Sequence, residues 1–204
     1  MKRILFILAI VLFGISATGQ RIGVKAGVSF SNANFEIMDL NLSPDGRTGI
    51  HFGFTGEFPL MESLFLAPSV LFSQKGYKYR FDDEFGLGSF SGKDNMNYLE
   101  IPVNLMFKAD LKGPKLLLQA GPVFGVGLNG KSFFNGDQED IEFGSDDDQF
   151  DRMDFGLSIG GGLEYGHLQL TVNNAFGLSD ITHSNDVHIK HKVFAMSLAY
   201  LFGE

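Results

Sequence analysis

The stretch Gly125-Val126-Gly127-Leu128-Asn129-Gly130-Lys131-Ser132 has the spacing of a phosphate-binding loop. Its Gly125, Gly127 and Gly130 also satisfy the dinucleotide glycine fingerprint. Both motifs work by aiming backbone N–H groups at phosphate from the start of a helix. Here Ser132 is followed by Phe133-Phe134-Asn135-Gly136-Asp137 and then an acidic tract. That is no helix start, and carboxylates repel phosphate. The motif therefore reads as a glycine-rich strand end, with no nucleotide expected.

The acidic tract is the next candidate. Asp137, Glu139, Asp140, Glu142, Asp146, Asp147, Asp148 and Asp151 fall within fifteen residues. Such density could supply oxygens to Ca²⁺, with Asp146, Asp147 and Asp148 as the contacts, but the EF-hand spacing is absent. Mutual repulsion favours a solvated outside loop. His183, His188 and His191, near Asp180 and Asp186, could be imagined around a transition metal. Without rigid spacing they read as exposed loop histidines. His183 with Asp180 or Asp186 is also the one set that could be forced into acyl-transfer or hydrolytic chemistry at a rim. The chain has no Cys, which excludes thiol catalysis and Cys-based zinc sites. No cofactor or metal is expected. With a net charge of -8, nucleic acid is not expected as a partner either.

A third set is more regular. Lys25, Glu57, Lys75, Glu100, Lys108, Asp154 and Glu164 occupy the polar phase of period-two runs. Buried charges must be paired, so these seven predict an interior ion-pair network, with His51 a hydrogen-bonded neighbour. The elements that would position them are strands, since apolar and polar residues alternate in eight runs at about 21–32, 48–58, 64–77, 96–108, 115–128, 153–165, 168–178 and 190–202. In the second, Ile50, Phe52 and Phe54 oppose His51, Thr55 and Glu57. In the sixth, Phe155, Leu157 and Ile159 oppose Asp154 and Ser158. In the eighth, Phe194, Met196, Leu198 and Tyr200 are set against Lys192, Ser197 and Ala199. Gly166-His167 reads as a two-residue hairpin loop that pairs Tyr165 with Leu168.

The two faces decide the class. The apolar face is rich in Phe, Leu, Ile and Val. The polar face is mostly Gly, Ser, Thr and Asn with few charges, whereas a soluble exterior carries Lys, Arg, Glu and Asp at roughly 25–35% of positions. This predicts an inverted barrel, with apolar side chains on lipid and small polar ones filling a narrow interior. Long links (33–47, 78–95, 129–152, 179–189) alternate with short ones (59–63, 109–114, 166–167), as in outer-membrane barrels with short periplasmic turns. The mean hydropathy of +0.06 suits a protein with one wet and one greasy face. Pro68, Pro102 and Pro122 lie inside runs, so bulges are expected there. Lys2 and Arg3, the apolar run Ile4–Ile15 and Ala17-Thr18-Gly19 form a signal peptide over 1–19, with Gln20 as the mature N-terminus and 20–204 as the barrel domain.

The chain resembles the PorT-type outer-membrane β-barrel family. The stretches that carry the likeness are Ile22-Gly23-Val24-Lys25-Ala26-Gly27, Ser73-Gln74-Lys75-Gly76, Tyr98-Leu99-Glu100-Ile101-Pro102, Ala120-Gly121-Pro122, Phe155-Gly156-Leu157 and Tyr200-Leu201-Phe202-Gly203. The resemblance implies an eight-stranded up-and-down meander in the cell outer membrane, with proline tolerated in its strands. Many members have glutamate after the third-strand proline, where this chain has Ser69. Some relatives serve protein secretion. The expected function is a non-enzymatic integral outer-membrane barrel, bathed in lipid, with a structural or interaction role among envelope or secretion proteins. The alternatives are a narrow, porin-like channel for small solutes or ions, and a rim-located hydrolase or acyltransferase.

Overall fold

The computed structural model describes residues 19–203 other than 38–39, 43–44, 82–89, 135–136, 145–148 and 180–186; side chains are described outside 33–45, 79–90 and 187–189 as well. Twelve strands follow in chain order: β1 Arg21–Ile37, β2 Leu40–Leu42, β3 Asp45–Met61, β4 Leu64–Phe81, β5 Phe90–Asp110, β6 Lys115–Phe134, β7 Asp137–Ile141, β8 Phe143–Gly144, β9 Phe150–Asp151, β10 Met153–Tyr165, β11 Leu168–Gly177 and β12 Val187–Phe202. Eight of them close an antiparallel ring in the order β1-β3-β4-β5-β6-β10-β11-β12, and β12 pairs back onto β1. β7 pairs with the end of β6, β2 with the end of β1, and β8 with β9.

Three tight turns lie at one end of the ring, beside the start of β1 and the end of β12; this is the turn end. Gly166 takes φ +58°, and the Gly166-His167 loop sets Tyr165 opposite Leu168. Lys112 takes φ 62°, held by its N–H donating to Asp110 Oδ1 at 2.8 Å. The opposite end of the ring, where β1, β4, β6 and β11 finish, is the outer end.

The inversion of faces holds along the described strands. Phe54, Phe52, Ile159, Leu170 and Leu198 stand on the outside, each more than half exposed. Ser29, His51, Glu57, Ser73, Lys75, Lys108, Asp154, Glu164 and Ser197 are buried inside. The eighth run had one misassignment: Lys192 shares the outward phase of Phe194 and Met196 and is exposed, its ammonium 5.9 Å from the Phe176 ring. A period of two leaves it no other face.

Two expectations are corrected by the ladder. The links at 33–47, 78–95 and 129–152 are largely strand, so that β5 runs for 21 residues and β6 for 20. About 9–11 tilted residues suffice to cross a bilayer. Above that height no face needs to be apolar, so the alternation fades while backbone pairing continues. The prolines also make no bulges. Pro68 opposes Val103, Pro102 opposes Val123 and Pro122 opposes Leu157, each within a constant register. An antiparallel residue donates its N–H toward one neighbour only, so a proline removes one hydrogen bond and leaves the other side of the strand intact. The register shifts fall instead between Gly46 and His51, between Pro59 and Met61, and at Asn97/Tyr98.

Candidate functional site

The lumen contains two polar clusters with a cavity between them. At the turn end, four charges from four strands form a closed square. Glu57 Oε2 accepts from Arg21 Nη2 at 2.6 Å and from Lys108 Nζ at 2.7 Å. Glu164 Oε2 accepts from the same two atoms at 2.8 and 2.6 Å. Gln169 Nε2 bridges the carboxylates, donating to Glu57 Oε1 and to Glu164 Oε2. Lys108 Nζ also lies 4.6 Å from the centre of the Phe65 ring. Alternating charges with several hydrogen bonds per carboxylate are what a buried ionic group needs to offset desolvation. The sequence reading placed Glu57, Lys108 and Glu164 here and missed Arg21 and Gln169. Arg21 sits at a strand start and Gln169 is neutral, so neither stood out; each nevertheless has the inward phase of its strand.

Toward the outer end, Lys75 Nζ lies 2.8 Å from Glu100 Oε1 and 2.9 Å from Asp154 Oδ2. His191 Nδ1 lies 3.0 Å from Asp154 Oδ2, and Ser179 Oγ 3.2 Å from Asp154 Oδ1. His191 is therefore a buried lumen residue on β12, not an exposed loop histidine. Strand pairing carries β12 down past position 191, and the inward phase does the rest. The side chains of His183 and His188, with Asp180 and Asp186, lie outside the described residues, as do Asp146, Asp147 and Asp148. Exposed Asp137, Glu139 and Asp140 stand on β7. Among the described residues no group of His, Asp and Glu is placed to hold a metal ion.

Above this cluster lies an apolar plug absent from the sequence expectation: Tyr77, Met96, Tyr98, Ile141 and Phe143, with Phe150 packed against them. Lys75 Nζ lies 4.7 Å from the Tyr98 ring centre, and Tyr98 meets Phe143 edge to face at 5.7 Å. The phosphate-loop lookalike is the seat of this plug. A Cβ on Gly127 would stand 2.5 Å from the Phe143 ring, one on Gly130 3.0 Å from Ile141, and one on Gly125 3.4 Å from Tyr98. The glycines let apolar side chains fold over the wall; β6 continues through Ser132 to Phe134, with no helix.

Between the clusters, side chains reach across glycines to neighbouring strands. His51 and Ser197 flank Gly27 in one row, and His51 Nε2 meets Ser197 Oγ at 2.8 Å. A Cβ on Gly27 would stand 2.7 Å from the imidazole. Gln119 and Asn173 flank Gly160, and Gln119 Nε2 donates to Asn173 Oδ1 at 2.6 Å. Ser158 Oγ donates to Asn104 Oδ1 at 2.7 Å. The His51–Ser197 pair has the reach of a base and its nucleophile, but among the described residues no carboxylate orients the imidazole as a triad requires. A cavity of about 70 Å³ adjoins the pair. Where many relatives of the resembling family place a glutamate, Ser69 donates to Thr55 Oγ1 at 2.8 Å, a neutral contact.

Residues 18–183 match the family described as outer membrane protein beta-barrel domain. The chain belongs to that family, and it is an outer-membrane β-barrel protein: the closed ring, the exterior apolar belt and the polar interior are the form that family takes in lipid. The turn end is accordingly periplasmic. The chain is similar in fold to the attachment invasion locus protein Ail of Yersinia pestis, with 14% identity, TM-score 0.45 and coverage of 91% of this chain and 100% of that one. It is also similar to Neisserial surface protein A, with 13% identity, TM-score 0.49 and coverage of 90% and 99%. For OprG from Pseudomonas aeruginosa the values are 10% identity, TM-score 0.47 and coverage of 92% and 97%. No curated protein matches this chain.

Proposed function

We propose that this protein is a non-enzymatic, non-conducting outer-membrane barrel with a structural or interaction role in the envelope, working through its outer rim on other envelope proteins. The observation that carries this reading is the Arg21–Glu57–Lys108–Glu164 square across the periplasmic end of the lumen. A solute path would have to break four ion pairs there and displace the Tyr98–Phe143 plug at the other end. The rim supplies the remaining surface: β5, β6 and β7 rise above bilayer height and carry exposed Asp137, Glu139 and Asp140. The narrower assignment, to the PorT-type group and a secretion complex, rests on the resemblance stretches. Two of those, Ser73–Gly76 and Tyr98–Pro102, contribute Lys75, Tyr98 and Glu100 to the outer cluster. We also assign residues 1–19 as an export signal and 20–204 as the barrel.

Planar-bilayer recording of the purified protein tests the reading. No stepwise conductance is expected. Steady single-channel currents would replace it with the narrow-channel alternative. Purification from native envelopes in mild detergent should bring down a fixed set of envelope proteins. Ester or acyl turnover lost on changing His183 would establish the rim enzyme instead.

A further inference from the structure

Lys25 differs from Arg21, Lys75 and Lys108. Arg21, Lys75 and Lys108 each touch two carboxylates. Among the described residues Lys25 has no carboxylate within ion-pair distance. Glu57, the acid of the turn-end square on the neighbouring β3, has both carboxylate oxygens taken by Arg21, Lys108 and Gln169. Lys25 lies on the inward phase of β1, between Gly53 and Ala199 in its row, and lines the cavity of about 70 Å³ between the two clusters. Lys25 is half-buried, and an ammonium drawn partly out of water without a counter-charge is costly.

The rest of the cavity lining mixes apolar walls, from Leu71, Pro102, Val123 and Val193, with hydroxyls and two amides. Asn104 and Asn173 line it, and their amide oxygens are already used as acceptors, by Ser158 and Gln119. Their NH₂ ends remain, and an amide nitrogen can only donate. The one carboxylate on the lining, Glu100, is engaged by Lys75. At roughly 10–15 Å³ of such space per water, it has room for about five small occupants. A cation and two amide donors, with room for several waters, match a small hydrated monovalent anion.

We propose that the mid-lumen cavity is a binding site for a halide-sized inorganic anion, with the Lys25 ammonium as its charge partner and the Asn104 and Asn173 amides as donors. The site is independent of the envelope role proposed above.

Crystals of the detergent-solubilised mature barrel, grown in bromide, test it directly. An anomalous bromine peak in the cavity beside Lys25 Nζ is expected; a cavity holding water alone overturns the proposal. In solution, the thermal midpoint should climb by on the order of a few degrees per tenfold rise in chloride, against gluconate at matched ionic strength. K25M should lose that dependence and K25R should retain it. A wild-type midpoint indifferent to chloride, or a dependence that survives in folded K25M, sinks the site. Should K25M fail to fold, the bromide map on the unaltered protein decides.

Discussion

Lys108 Nζ and Glu57 Oε2 meet at 2.7 Å inside the periplasmic end of the barrel, although 51 residues separate them along the chain. β5 and β3 are not neighbours in the ring, since β4 lies between them. The pair therefore spans the lumen and does not run along the wall, and the same is true of Arg21 with Glu164. A barrel narrow enough for such spans is closed by its own side chains.

This makes Glu57, like Glu164, poorly tolerant of neutralisation. In E57A, Arg21, Lys108 and Gln169 lose a shared acceptor in a buried setting. The expected cost is about 3–5 kcal/mol, the usual penalty for stranding a buried charge. Urea titration of the refolded barrel in lipid vesicles measures it. E100A should cost clearly less, because Lys75 keeps Asp154 at 2.9 Å. Equal losses in the two variants would contradict this division.

The lipid-facing phase gives a second test. Phe54 is 71% exposed on the outer face of β3. F54R should destabilise by roughly 2–4 kcal/mol in vesicles if the position lies near the bilayer midplane. On a water-facing barrel the same change would be neutral or helpful to solubility, so its sign reports which way the strands face.

The glycine rows give a third. G27V pushes a branched side chain against the Met196 carbonyl oxygen, the atom nearest an added Cβ, and into the His51 ring at 2.7 Å. Overpacking typically costs about 1–3 kcal/mol. The His51–Ser197 bond should be lost with it, visible as a shifted imidazole resonance. H51A in the G27V background should recover only the part of the loss due to the ring, since the clash with the Met196 carbonyl remains.

Export processing gives a fourth. Intact mass and N-terminal sequencing of the protein purified from outer membrane should place the mature start at Gln20. A chain retaining Lys2 and Arg3 would show that residues 1–19 are not removed.

The fold was legible in the sequence because strand faces are a local property. Ile50, Phe52 and Phe54 against His51 and Glu57 state which side meets lipid without reference to any other strand, and eight such runs with alternating link lengths imply a closed meander. Tyr165 opposite Leu168 followed from a two-residue loop alone. Where local pattern weakened, the reading did too. Polar strand ends above the bilayer looked like loops, His191 looked exposed, and prolines suggested bulges that a one-sided ladder does not need.

By itself, then, the sequence determined the strand count, the inverted faces and most of the inward charges, Arg21 and His191 excepted, since each depends on a residue and its near neighbours. Tertiary structure alone decided which charges meet. Arg21 reaches Glu164 across 143 positions of chain, Lys75 is shared by two acids, and Lys25 is left facing a cavity. Those partnerships depend on ring closure and stagger between strands. The geometry of the whole circuit sets both, and no single strand encodes either.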